Sequence, residues 1–167
     1  MSEFEENVQQ LLQVISSSLM SRNWRMATAE SCTGGWIAKC CTDLAGSSEW
    51  FDRAYVTYSY CAKEQMLGVS HHDLVEFGAV SEQVASQMAI GAKTRSGAGV
   101  TVSATGIAGP GGGMPGKPVG LVHFGWCIGD LPVQCDFGVF EGDREAVRQQ
   151  TVIHALKGIV SRLQSLD

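Results

Sequence analysis

An α/β fold is predicted for this chain, and three features of its sequence lead to that prediction. Helical and strand patterns alternate through residue 104, two further strand patterns flank a turn near residue 129, and a long helical pattern closes the chain. Alternation of this kind builds a mainly parallel sheet, to which a hairpin adds an antiparallel strand. We therefore expect a three-layer α/β/α sandwich around a mixed sheet of about five strands, in one domain over residues 1–167.

The first half of the chain contributes four helices and two strands to this prediction. The opening pattern is an amphipathic helix, because apolar side chains recur at helical spacing from Phe4 to Leu19. Later helices are expected to end at Gly46 and Gly68. In chain order, the predicted elements are a helix over residues 3–22, a strand over 25–30, a helix over 33–44, a strand over 50–59, and short helices over 61–67 and 70–77.

The second half contributes two helices and three strands. Ser81 is the expected N-cap of a helix whose buried face includes Val84 and Met88. A turn at Gly129–Asp130 joins the last two strands as a hairpin. The predicted elements are a helix over residues 81–95, a strand over 98–104, strands over 119–128 and 133–140, and a helix over 143–166.

Composition and charge exclude several classes of function. The net charge of -5 argues against a nucleic-acid partner, which would require a basic face. No apolar run reaches the roughly 20 residues of a membrane span, and the acidic N-terminus is unlike a secretion signal, so we expect a cytoplasmic protein. The six cysteines lie inside predicted elements without a secretory context, which predicts reduced thiols, and none form a C-x-x-C pair, which argues against a metal site.

A strand-to-helix turn at Ser31 is the first candidate for chemistry. Two small polar residues and a Gly-Gly pair follow Ser31. Free N–H groups at the start of a helix favour negative charge at such a turn. The turn therefore fits a phosphate cradle, a serine nucleophile with an oxyanion hole, or simply the N-cap of the helix.

The second candidate segment, from Tyr58 to Lys63, follows the second predicted strand. Parallel sheets bind ligands beyond the carboxyl ends of their strands, so this segment is expected to lie near Ser31. Burial would lower the pKa of Lys63 and make its amine a base, with Tyr58 sharing the proton between Lys63 and Ser31. The alternative is an exposed lysine on a short helix.

A glycine-rich loop, Thr105–Gly113, follows the third predicted strand and is the third candidate. Its spacing matches neither a P-loop nor a dinucleotide-binding motif, but glycine lets the backbone approach a ligand closely. Arg144, near the start of the last helix, either reaches an anionic ligand or pairs with a carboxylate such as Glu141, and the pairing is the preferred interpretation.

Seven short motifs, spread in order over nearly the whole chain, carry a family resemblance. They are Thr28–Gly35, Ala45–Ser48, Val56–Ser59, Gly78–Ser81, Thr105–Gly112, Lys117–Gly120 and Gly142–Arg144. By these motifs the chain resembles the CinA C-terminal-domain family, the nicotinamide-nucleotide amidases. The resemblance implies the stand-alone form, without the molybdopterin-binding-like domain of longer members.

The resemblance also implies a reaction, the hydrolysis of nicotinamide mononucleotide to nicotinic acid mononucleotide and ammonia in pyridine nucleotide salvage, with no metal and no cofactor. It implies Ser31 as nucleophile, Lys63 as base and Tyr58 as relay. Backbone N–H groups around Thr33–Gly34 or Thr105–Gly106 would hold the oxyanion. The expected oligomer is a homodimer. The residues expected to bind the nucleotide are Cys32, Thr33, Gly34, Thr105, Gly106, Gly109 and Arg144.

One departure from the family pattern leaves an alternative open. The family usually has Asn-Glu where this chain has Tyr60 and Cys61, two positions that flank the proposed base. Without that amide and carboxylate, Lys63 could be misoriented. The alternative is therefore an inactive paralogue that binds a nucleotide as a regulator, although the retained Ser31, Tyr58 and Lys63 favour the amidase.

Overall fold

The computed structural model describes residues 1–167 and confirms the α/β class with a five-stranded mixed sheet. The helices are α1 (Glu3–Ser21), α2 (Trp36–Asp43), α3 (Tyr60–Leu67), α4 (His71–Phe77), α5 (Glu82–Ser96) and α6 (Arg144–Gln164), with a 3-10 turn at Ser47–Glu49. The strands are β1 (Met26–Glu30), β2 (Phe51–Val56), β3 (Val100–Gly106), β4 (Leu121–Ile128) and β5 (Gln134–Val139). No helix combines the length and the apolar character that crossing a membrane would require.

The order of strands in the sheet is β2-β1-β3-β4-β5. β1 pairs in parallel with both β2 and β3, whereas β4 runs antiparallel to its neighbours β3 and β5. β4 is therefore the one strand of reversed direction, as the hairpin predicts. The carboxyl ends of the other four strands meet at a single edge of the sheet, which is where ligands bind in folds of this type.

Helices cover both faces of the sheet, so the three predicted layers are present. α1, α2 and α6 enclose the larger apolar core, in which the rings of Phe124 and Trp126 stack with their centroids 5.5 Å apart. α3, α4 and α5 enclose a smaller core on the other face, around Leu74 and Met88. Ser31 follows β1, and Lys63 reaches it from the layer opposite α6.

The smaller core is tightened by hydroxyl groups of β3. Three side chains on one face of this strand donate hydrogen bonds of 2.6–2.9 Å to backbone carbonyls in and just before α5. A buried hydroxyl without such a partner would lower stability. The pairs are Thr101 with Ala89, Ser103 with Ala85, and Thr105 with Ala79. These bonds fix the end of β3 against the segment that precedes α5.

Two boundaries differ from prediction in ways that matter for the site. α2 begins at Trp36 instead of residue 33, because Gly34 and Gly35 have φ of 61° and 96°, outside the helical region. β3 continues through Gly106, two residues beyond the predicted end, because Gly106 still pairs with Val122 of β4. The turn at Ser31 is consequently longer than expected, and β3 extends further towards it.

Candidate active site

Ser31 and Lys63 come from different segments of the chain and meet at the carboxyl edge of the sheet. The Nζ atom of Lys63 lies 2.9 Å from the Oγ atom of Ser31, within hydrogen-bonding distance. Lys63 is 1% exposed and Ser31 is 8% exposed. Lys63 is therefore not the surface lysine of the alternative interpretation.

The surroundings of Lys63 favour its neutral amine. Its Nζ atom contacts the backbone carbonyl oxygens of Thr57 and Tyr58, at 2.7 Å and 3.3 Å, and it has no carboxylate partner. Burial lowers the pKa of Lys63 to about 8, and the neighbouring Cys32 opposes this shift. An amine with such a pKa is partly deprotonated near neutral pH and is suited to accept a proton from a serine hydroxyl.

Glu30 organises the turn that carries Ser31. Its fully buried carboxylate accepts hydrogen bonds of 2.8–3.0 Å from two hydroxyls and two backbone N–H groups. The donors are the hydroxyls of Thr28 and Thr33 and the N–H groups of Ile37 and Ala38. The carboxylate thus ties the first turn of α2 to the end of β1. Sequence reasoning placed Glu30 only on a strand face, although an acid just before a helix start indicates such a role.

The backbone beside Ser31 offers N–H groups to an incoming oxygen. Two of them are already used, since Ser31 donates to the carbonyl of Ala104 and Gly34 donates to the carbonyl of Ser31. The N–H groups of Cys32 and Thr33 donate to no protein acceptor. In β3, Gly106 follows Ala104 by two residues, so its N–H group faces the same side of the strand, towards Ser31.

Arg148 of α6 is the main contact of this turn that sequence reasoning missed. Its Nε atom donates to the carbonyl of Cys32 at 3.0 Å, and its Nη2 atom donates to the carbonyl of Thr33 at 2.9 Å. The guanidinium also lies over the ring of Trp36, 5.1 Å from the ring centroid. The one sequence signal for it is the spacing of four residues from Arg144, which places both arginines on one side of α6.

Tyr58 and Arg144 form a pair at the rim of the site. The Tyr58 side chain is 62% exposed, and its hydroxyl accepts a hydrogen bond from Nη2 of Arg144 at 3.1 Å. It does not lie between Lys63 and Ser31, which contact each other directly, so the predicted relay position is not observed. Nη1 of Arg144 donates to the carbonyl of Gly109 at 2.7 Å, and the preferred pairing with Glu141 is not formed.

Three other residues singled out in the sequence, Thr105, Tyr60 and Cys61, make no hydrogen bond to the side chains of Ser31 or Lys63. The Thr105 side chain is buried and donates to the carbonyl of Ala79, so its hydroxyl does not face the site. The Tyr60 hydroxyl accepts a 3.4 Å hydrogen bond from the N–H group of Ala79, and Cys61 is exposed. Neither of the two residues that depart from the family pattern hydrogen-bonds to Lys63.

A large cavity lies on the other side of the Ser31 turn. It has a volume of about 960 Å³ and is lined by the first half of α1, by α2 and by the start of α6. Its wall includes Gly34, Trp36 and Arg148, but neither Ser31 nor Lys63. Arg148 therefore stands between this cavity and the Ser31–Lys63 pair.

Comparison with known sequences identifies relatives over almost the full length of the chain. The family described as CinA C-terminal domain matches residues 8–163. The chain is similar to the nicotinamide-nucleotide amidohydrolase PncC of Enterobacter agglomerans, at 50% identity over 92% of this chain and 93% of that protein. The PncC protein of Escherichia coli strain K12 is 47% identical over the same shares of the two chains.

Solved structures with the same fold agree with this relationship. The competence/damage inducible protein CihA from Agrobacterium tumefaciens superposes with a TM-score of 0.92 at 44% identity, covering 98% of this chain and 99% of that chain. A competence-damaged protein (CinA) superfamily protein from Escherichia coli gives a TM-score of 0.90 at 34% identity, covering 97% and 93%.

Proposed function

Because the chain belongs to the CinA C-terminal-domain family, we propose that it is a nicotinamide-nucleotide amidohydrolase. The proposed reaction converts nicotinamide mononucleotide and water to nicotinic acid mononucleotide and ammonia, and its PncC relatives are named nicotinamide-nucleotide amidohydrolases. The observation that carries the proposal is the 2.9 Å contact between the buried Lys63 amine and the Ser31 hydroxyl.

The first half of the proposed reaction transfers the acyl group to Ser31. The neutral amine of Lys63 takes the hydroxyl proton as the Ser31 oxygen attacks the carboxamide carbon. The carbonyl oxygen becomes an oxyanion, and we assign its stabilisation to the N–H groups of Thr33 and Gly106. The C–N bond then breaks, Lys63 returns its proton to the leaving nitrogen, and ammonia departs.

The second half of the reaction releases the acid. Lys63 is neutral again after ammonia has left, so it can take a proton from a water molecule that attacks the ester of Ser31. The ester C–O bond breaks, the proton passes to the serine oxygen, and nicotinic acid mononucleotide leaves. Arg144, held at the rim by Tyr58 and Gly109, is a cation within reach of an anionic group on the substrate.

The regulator alternative depends on a misoriented Lys63, and the contacts of Lys63 argue against it. The Nζ atom of Lys63 contacts the backbone carbonyls of Thr57 and Tyr58 and the hydroxyl of Ser31, and not the side chains at residues 60 and 61. Loss of the usual Asn-Glu pair therefore leaves the base in place, which supports the amidase.

We further propose a cytoplasmic homodimer. All six cysteines are unpaired thiols, which supports the location because a reducing compartment keeps thiols from forming disulfides. The edge strand β5 exposes Phe137 by 59% and Val139 by 54%, and apolar side chains on a sheet edge favour pairing with a second copy. Sedimentation velocity of the wild type and of Phe137→Lys tests the dimer, since a monomer in both would contradict it.

The activity is tested by incubating the protein with nicotinamide mononucleotide and following ammonia release. Ser31→Ala and Lys63→Met should each lower kcat by at least about 10³-fold, because both remove a partner of the proton transfer. Lys157→Ala is the matched control, an exposed lysine on α6, and should keep full activity. An inactive wild type that still binds the nucleotide would instead support the regulator.

A further inference from the structure

We propose that Arg148 is a positioning residue for the oxyanion, acting through the peptide between Cys32 and Thr33. Its guanidinium fixes the two carbonyl groups of the Ser31 turn, and thereby fixes the direction of the Thr33 N–H group. The inference rests on the proposed function, since it concerns the same acyl transfer. Arg148 itself touches neither Ser31 nor Lys63.

The geometry of the peptide plane carries the argument. The carbonyl of Cys32 and the N–H group of Thr33 belong to one peptide, and in a trans peptide these groups point in opposite directions. The carbonyl points to Nε of Arg148 on α6, so the N–H group points away from α6. Lys63 approaches Ser31 from the layer opposite α6, which is the side that this N–H group faces.

The turn needs an external support of this kind. Gly34 and Gly35 both have positive φ, and glycine backbones are conformationally free, so the segment that follows Thr33 does little to hold the Cys32–Thr33 peptide in place. A rotation of the Cys32–Thr33 peptide would exchange its N–H group for its carbonyl and present a negative dipole to the oxyanion. The fork of Arg148 holds both carbonyls at once, which a single lysine ammonium cannot reproduce.

A merely structural role for Arg148 predicts a different pattern of defects. Its contacts with the turn and with Trp36 also join α6 to α2, so any substitution will lower stability. Structural damage alone would reduce the fraction of folded enzyme. Loss of positioning would instead lower kcat in the folded enzyme and leave KM unchanged, because the N–H group acts on the transition state more than on the bound amide.

The first test compares Arg148→Lys and Arg148→Ala with the wild type, each assayed as folded protein. We expect kcat for ammonia release to fall by about 10- to 100-fold, with KM within about twofold, as expected for a misplaced group near the reacting carbon. Guanidinium ion at millimolar concentration should restore part of the kcat of Arg148→Ala. Arg162→Ala is the matched control, because this arginine of the same helix stacks over Trp126 at 3.9 Å, away from the site.

The second test uses an aldehyde analogue in which CHO replaces the carboxamide. Addition of the Ser31 hydroxyl gives a hemiacetal whose oxygen occupies the oxyanion position. The affinity of the enzyme for the analogue therefore reports directly on the oxyanion hole. In Arg148→Lys, the affinity for this analogue should fall by the same factor as kcat, while binding of nicotinamide mononucleotide to Ser31→Ala/Arg148→Lys should match Ser31→Ala. An active wild type together with unchanged kcat in folded Arg148→Lys would overturn this inference alone, whereas an inactive wild type would overturn the proposed function.

Discussion

Two features of its surroundings suit Lys63 to the proposed role of base: contacts with backbone carbonyls and the lack of a carboxylate partner. Carbonyl oxygens hold its Nζ atom, and no carboxylate lies near enough to stabilise the charged form. An ordinary lysine titrates near 10.5, so a pKa of about 8 raises the share of neutral amine at pH 7 by more than a hundredfold. The same contacts direct the lone pair to the hydroxyl of Ser31.

The pH dependence of the activity should follow this ionisation. In the proposed mechanism only the neutral amine accepts the proton of Ser31, so kcat/KM should rise about tenfold per pH unit below the pKa of Lys63 and level off above about pH 8. The measurement is kcat/KM for ammonia release between about pH 6 and about pH 10. A profile that falls as pH rises through 8 would show that the charged ammonium is the active form.

At the scale of single elements, the start of α2 depends on one buried acid. Glu30 takes the place of a side-chain N-cap, because α2 begins after Gly35, which offers no side chain to its free N–H groups. The carboxylate therefore provides both the hydrogen bonds and the negative charge that a helix start favours. The Ser31 turn is held both by this carboxylate and by Arg148.

Replacing Glu30 by glutamine should destabilise this element strongly. The amide would turn donor hydrogens towards groups that are themselves donors, so we expect the free energy of unfolding to fall by about 2–3 kcal/mol. Urea denaturation followed by circular dichroism measures the loss. Glu49→Gln is the control, because Glu49 is exposed in the 3-10 turn. Equal stability of the two variants would contradict the role assigned to Glu30.

The sequence predicts which residues follow the strands of the sheet, but not which side chains of the helices contact them. Ser31 and Lys63 could be predicted because both follow strands, and parallel strands of one sheet end at the same edge. Arg148 could not, because its partners lie 115 and 116 residues away and its helical pattern does not reveal which turn it faces. The place of the Tyr58 hydroxyl could not be predicted for a related reason. The sequence indicates the strand end that Tyr58 follows, but the direction of its exposed ring depends on the contact with Arg144.

At the scale of the whole molecule, the packing of α5 against α3 positions Lys63, the proposed base. Gly91 of α5 lies so close to the end of α3 that a Cβ atom on it would be 2.1 Å from the carbonyl oxygen of Leu67. Lys63 stands one helical turn before Leu67 in α3. The absence of a side chain at residue 91 thus allows the helix that carries the amine to settle on its neighbour.

Gly91→Ala should therefore lower stability, although alanine favours helices over glycine by about 0.5–1 kcal/mol. Overpacking against a backbone atom outweighs that gain, and we expect a net loss of about 1–3 kcal/mol in the free energy of unfolding. Chemical denaturation and the ammonia assay together measure the effect, and activity should fall as α3 shifts. Gly111→Ala is the control, because a Cβ atom there meets nothing within 4 Å. Increased stability of Gly91→Ala would refute the close approach.

The burial of Lys63 has a consequence for the polypeptide before it has folded. A nascent or partly unfolded chain keeps this lysine hydrated and protonated, and its serine is as inert as any other hydroxyl. The reactive pair comes into being only when the layer that excludes water closes over the amine. In the proposed mechanism, the Ser31–Lys63 pair can therefore attack an amide only after the fold is complete.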